Sequence, residues 1–162
     1  MSEPLGIYLQ DHLGGAQVAV QLLDAMGSKN EEEKYRKFAK KLLPEIQSDD
    51  DTLRNILGAI AEKPSPIKNA GGWLLEKLAR LKLGHTRSVG LETHESLEML
   101  SLGIVGKRSL WKALQVVSTI DIRLREYDFD ALLHRADEQF EAVEQERLRL
   151  AAEVFVCKIE RH

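Results

Sequence analysis

KPSPIKNAGGWLLEKLARLKLGHTRSVG, residues 63–90, decides the fold, because it separates two pairs of long segments with helical periodicity. Lys63-Pro64-Ser65-Pro66 breaks the helix before it. Ser65 followed by Pro66 is also a good N-cap and first-turn pair, so a short helix is predicted over 66–81. Its apolar stripe is Ile67, Ala70, Trp73 or Leu74, Leu78 and Leu81, and Gly84 and Gly90 bound a loop after it.

Working back from this break, residues 30–62 read as one helix with Asn30 as N-cap and Glu31, Glu32 and Glu33 favouring the positive end of its dipole. Tyr35, Phe38, Leu42, Ile46, Leu53, Ile56 and Ile60 form its stripe, and Pro44 is expected to kink it. The helix before it covers 5–26, with Leu9, Leu13, Ala16, Val20 and Leu23 on one face and Gly27 as its C-terminal cap. Gly14 and Gly15 within it imply a close neighbour or a kink, because each costs about 1 kcal/mol relative to alanine.

Working forward, a third long helix is expected over 90–118, with Leu91, Leu97, Leu100, Ile104, Trp111, Leu114 and Val117 on one face. Gly103 and Gly106 leave a bare patch on it, read as tight helix packing in preference to a ligand groove. After a linker holding Asp128, the last helix carries Leu133, Ala136, Phe140, Val143, Leu150 and Val154. The predicted fold is therefore all-α, an up-down-down-up four-helix bundle with a short extra helix in the crossover, forming one domain over 1–162.

Composition agrees with this reading. The 43% hydrophobic and 30% charged residues fit a soluble globular chain, and no apolar run approaches the roughly 20 residues of a membrane span. The stretch MSEPLGIYLQDHLGG lacks the basic start and apolar centre of a signal peptide, so a cytoplasmic location is expected. The single cysteine, Cys157, rules out an internal disulfide and a thiolate metal cluster, and is read as a small apolar side chain. The net charge of −3 is uneven: residues 64–90 carry five basic groups against Glu76, whereas residues 126–162 carry ten acidic against five basic. The basic connector is expected to lie across the acidic helices. Nucleic acid is not an expected partner, because aromatics are sparse in the basic stretch and the whole chain is acidic.

Two helical hairpins joined by a long crossover resemble the ferritin-like superfamily in helix order and length. LGIYLQDHL, RNILGAI and LEMLSLGIVGKRSLW are also similar to stretches of small uncharacterised bacterial proteins of this fold. The resemblance implies a metal site built from a Glu on each of two helices and a Glu-x-x-His pair on each of the others. This chain has no Glu-x-x-His and no Asp-x-x-His.

Matching levels along the bundle at about 1.5 Å per residue sets Asp11 and His12 opposite Glu45, with Asp49 one turn on, in the gap of its stripe between Ile46 and Leu53. Lys107 and Glu141 or Glu144 fall at the same height. With a lysine where a dimetal centre needs a carboxylate, Glu45, Asp49, Lys107 and Glu141 are read as a buried ion-pair network in preference to a metal site. Asp11, His12, Glu45, Asp49, Glu98 and Glu141 are the candidate ligands should iron or manganese bind. Glu98, with Glu92, His94 and Glu95, forms the densest acid and imidazole cluster, on the order of 10 Å from the Glu45 level. His94 with Glu98, and His134 with Asp137 or Glu138, are read as solvated pairs. His85 and His162 support no site.

No Walker, G-x-S-x-G or phosphate-loop motif occurs, and GIVGKRS at 103–109 lies in a predicted helix with the wrong glycine spacing. The expectation is a non-catalytic bundle acting through its surface as an interaction or stress-associated protein. A homodimer is the expected self-association, with Trp73 and Trp111 as anchors to test although core burial suits both. The alternatives are a carboxylate-bridged dimetal oxidase and a small-molecule binder using the hollow beside Gly103 and Gly106.

Overall fold

The computed structural model describes residues 3–60 and 88–156. They form four long α-helices, α1 (Glu3–Lys29), α2 (Glu33–Ile60), α3 (Val89–Ser118) and α4 (Phe129–Phe155), with a 3-10 turn at Ile122–Leu124. Among the described residues there is no strand. The predicted short helix over 66–81, the placing of the basic connector, Trp73, His85, Cys157 and His162 lie outside the described residues. Among the described residues, no helix is long and apolar enough to cross a membrane.

Each helix forms because its apolar residues recur at threes and fours. On α1 the buried set is Leu9, Leu13, Val18, Leu22, Leu23 and Met26. The helix continues through Gly27 to Lys29, so Gly27 is not the expected cap. It marks close approach instead: a β-carbon there would lie 3.3 Å from Lys40 Cγ and 3.8 Å from Ala39 Cβ on α2. The chain turns at Asn30, whose Oδ1 accepts from the Glu32 amide at 2.9 Å, and the helix proper begins three residues later than the predicted cap. Arg36 steadies the turn by donating to the Asn30 and Glu31 carbonyls at 2.6 and 2.9 Å.

α2 buries Tyr35, Ala39, Leu42, Ile46, Asp49, Leu53, Ile56 and Ile60 and passes through Pro44 without ending. Pro44 is exposed, so water can reach the carbonyl that its missing N–H leaves without a helical donor. Ser88 caps α3 by accepting from Leu91 N at 3.4 Å, and Asp128 caps α4 by accepting from Ala131 N at 2.9 Å. α4 buries Phe129, Leu132, Ala136, Gln139, Val143 and Leu150. The predicted stripe included Leu133, Phe140 and Val154, which are only half-buried.

α1 packs on α2, α3 on α4, and α1 on α3. α2 meets α4 through side chains, Lys34 with Glu153 at 3.6 Å and Gln139 with Glu45 at 3.3 Å. α2 and α3 run in the same direction, because they are pinned in order along their lengths. Asn30 Nδ2 donates to Thr93 Oγ1 at 2.8 Å near their starts, Lys107 reaches Asp49 at mid-length, and Arg123 donates to the Ile60 carbonyl at 3.4 Å at their far ends. The helices therefore run up, down, down and up around one apolar core.

Candidate functional site

Among the described residues the buried polar groups are Thr93, His94 and Ser101 on α3 and, at mid-bundle, Asp49 and Gln139, where three helices contribute a polar cluster. Asp49, 3% exposed, lies in the α2 stripe between Ile46 and Leu53 and so must point inward. From α3, Lys107 crosses the bundle and places its ammonium 2.5 Å from Asp49 Oδ2. From α4, Arg135 donates to Asp49 Oδ1, and Gln139 bridges the cluster. The Gln139 oxygen accepts from Lys107, while its Nε2 donates to Asp49 Oδ2 at 3.2 Å and to Glu45 Oε2 at 3.3 Å. Two carboxylates and two cations balance to zero formal charge. Burial holds the Lys107 ammonium below the usual lysine range, although the neighbouring Asp49 charge pulls the other way.

Beside this cluster lies a cavity of about 490 Å³ along the α1–α3 seam, within the range of small-molecule sites. Gly15, Ala16 and Ala19 of α1 and Gly103 and Gly106 of α3 line it, as do Leu53, Leu100 and Trp111; Asp49, Asp50 and Lys107 form a polar belt with His12 and Asp11. The glycine patch thus does not serve the tight packing expected of it. A β-carbon on Gly15 or Gly103 would have nothing within 4 Å, and one on Gly106 would meet only His12 Cε1 at 4.0 Å. With no side chains to fill the seam, the helices leave a hollow. Gly103→Ala and Gly15→Ala are accordingly expected to raise stability, by about 0.5–1 kcal/mol each, since both gain helix propensity without a clash. Urea denaturation checks this, and a loss of stability in either would mean that the seam closes in solution.

His12 is half-buried, edge-on to Tyr8 with ring centroids 4.6 Å apart. Burial lowers its pKa below 6.5, with Asp11 opposing. Because the unfolded chain takes up this proton first, the folded state loses stability as pH falls from 6.5 through the lowered pKa. His12→Gln should flatten that part of the curve, seen as a smaller stability difference between about pH 7.5 and about pH 5 than in the wild type.

The remaining sequence candidates are dispersed. Glu45 and Glu141, both expected as buried members of the network, are exposed: Glu45 touches it only from the edge, through Gln139 Nε2, and Gln139 and Arg135 stand at the cluster in place of Glu141. Asp11 is exposed at the cavity, and Glu98 is exposed with Arg147 3.7 Å away. His94 is 6% exposed and edge-on to Phe155 at 4.9 Å, so it is not the solvated partner of Glu98. His134 and Glu138, 3.5 Å apart, are both exposed. Among the described residues, no three His, Cys, Asp or Glu groups gather closely enough to hold a metal ion. The donor chemistry points the same way, because both Asp49 oxygens accept from cationic side chains that would repel a divalent ion.

Gln139 escapes the sequence reading because the predicted α4 stripe takes Leu133 and Phe140 where Leu132 and Gln139 are buried, although Ala136, Val143 and Leu150 are common to both; Arg135, half-buried, lies off the stripe. The available signal was a glutamine at the correct spacing within Leu132, Ala136, Gln139 and Val143, the same pattern of a polar residue inside an apolar stripe that exposed Asp49. No protein-family model, curated protein or solved structure matches the chain.

Proposed function

We propose that this bundle is a non-catalytic, ferritin-like small-molecule-binding module whose site is the cavity on the α1–α3 seam. The observation that carries the reading is that glycines and alanines hold open about 490 Å³ of mainly apolar space beside a fixed polar belt. A collapsed seam would bury more apolar surface, so an open one needs a reason, and an occupant supplies it. The ferritin-like assignment draws its support from the up-down-down-up helix order. No metal enters this reading, since Asp49 is already held by Lys107 and Arg135.

The test is a thermal-shift screen of small apolar compounds against the wild type and Gly106→Leu, whose new side chain would extend across the seam towards His12. A site-bound compound at a hundred times its Kd should stabilise the wild type by about 2.7 kcal/mol and leave Gly106→Leu unmoved. Equal shifts in both proteins would remove the cavity from the explanation. A second reading, self-association through the α3–α4 corner, rests on Val116, Ile120 and Ile122, which are 69%, 86% and 73% exposed. Sedimentation that shows a monomer at high concentration would dispose of it.

A further inference from the structure

On α3 the apolar residues do not stop at the core. Leu97, Ile104 and Trp111 are buried within the bundle, and Met99 and Leu110 face the α1–α3 seam. Leu102 and Val105, on the outer side, are 55% and 41% exposed. A helix that is apolar all round is normally covered all round. Here one side is left in water, and Leu148 of α4, 58% exposed and next in sequence to the Arg147 that approaches Glu98, widens the apolar area.

The charges on that side show what covers it. Glu98 stands seven residues before Val105 and Lys112 seven residues after it, and both are exposed. Seven residues are close to two turns, so the three side chains share one stripe, with the charges about 10 Å to either side of Val105. Leu102 and Ser109 occupy the turns between. We infer that this outer face of α3 is a self-complementary docking surface for a second copy of the chain, forming an antiparallel helix pair whose two-fold axis passes by Val105.

In that arrangement each Glu98 meets the other copy's Lys112, and each Leu102 meets the turn at Ser109, whose small side chain leaves room for it. A parallel copy in register would set like charges together, so the charge pattern selects the antiparallel one. Both charges are available for the contact. Lys112 makes no ion pair among the described residues. Glu98 is met by Arg147 at 3.7 Å, but that guanidinium is already held by both oxygens of Glu144, at 2.7 and 2.8 Å. The inference does not depend on the cavity, and its contact is centred about three turns from the Val116 end of the α3–α4 corner.

The experiment is sedimentation equilibrium of the full chain over a concentration series at low salt. The set is the wild type, Glu98→Lys, Lys112→Glu, an equimolar mixture of those two variants, Val105→Glu and Ile122→Asp, with circular dichroism to check each fold. The wild type is expected to be a dimer. Each single charge reversal sets like charges against each other twice and should weaken association at least about tenfold. The mixture restores opposite charges at both positions and should recover most of the affinity. Val105→Glu should be monomeric, whereas Ile122→Asp, at the corner, should associate like the wild type. A wild type that stays monomeric throughout would overturn the inference while leaving the cavity reading to its own thermal-shift test. A dimer indifferent to the charge reversals, or a mixture that recovers nothing, would overturn the antiparallel register. Loss in Ile122→Asp with none in Val105→Glu would move the contact to the corner and overturn it equally.

Discussion

Asp49→Ala is expected to lower the stability of the folded chain by about 3–5 kcal/mol. The carboxylate accepts from Lys107, Arg135 and Gln139, and its removal leaves the Lys107 ammonium, 14% exposed, facing Arg135 with only the exposed Glu45 carboxylate to offset them. The loss is of that order because two cations remain, not because the native pairs contribute so much. Replacing all three charges together, as in Asp49→Leu with Lys107→Met and Arg135→Met, should therefore recover most of it. Such swaps of buried ion pairs for packed apolar groups are often neutral or stabilising. Urea denaturation of both proteins decides the matter. A loss under about 1 kcal/mol in Asp49→Ala would mean that the cluster is hydrated and behaves like a surface pair.

Trp111→Ala is expected to cost a similar amount, about 3–5 kcal/mol, for a different reason. The indole is 1% exposed, packs at a tilt on Phe129 with centroids 6.4 Å apart, and forms part of the cavity wall. Truncation would join the vacated volume to a hollow that already exists, so little relaxation could refill it. Trp111→Phe should be far milder, since the N–H it deletes has no hydrogen-bond partner among the described residues. Equal losses in the two variants, measured by the same denaturation, would show that the indole N–H is satisfied in solution and that the large term is not packing.

Much of this architecture could be read from the sequence, because helix periodicity and caps are local signals. A polar residue at the Asp49 position of an apolar stripe faces inward, whereas Asp128, read only as a linker residue, proves to be the cap of α4. Level-matching along parallel helices then brought Lys107 to Asp49. What escaped the reading depended on rotation about a helix axis rather than on position along it. On α4 the predicted and buried faces share Ala136, Val143 and Leu150 and differ only at their edges, where Leu132 and Gln139 are buried in place of their neighbours Leu133 and Phe140, about 100° away around the helix. The glycines failed for a related reason. A bare patch fits equally well against a tight neighbour or an open hollow, and only the opposing helix, itself small at Gly15, Ala16 and Ala19, distinguishes the two.

The order in which α2, α3 and α4 are pinned has a kinetic consequence. Each hairpin closes over a short turn, but Asp49 meets its partners across separations of 58 residues to Lys107, 86 to Arg135 and 90 to Gln139. Contacts so distant along the chain carry the larger loop-closure entropy and form after the hairpins. Interactions absent from the transition state act on unfolding rather than on folding. The central cluster is then a latch on the assembled bundle: Asp49→Ala should leave the refolding rate nearly unchanged while the native chain comes apart faster.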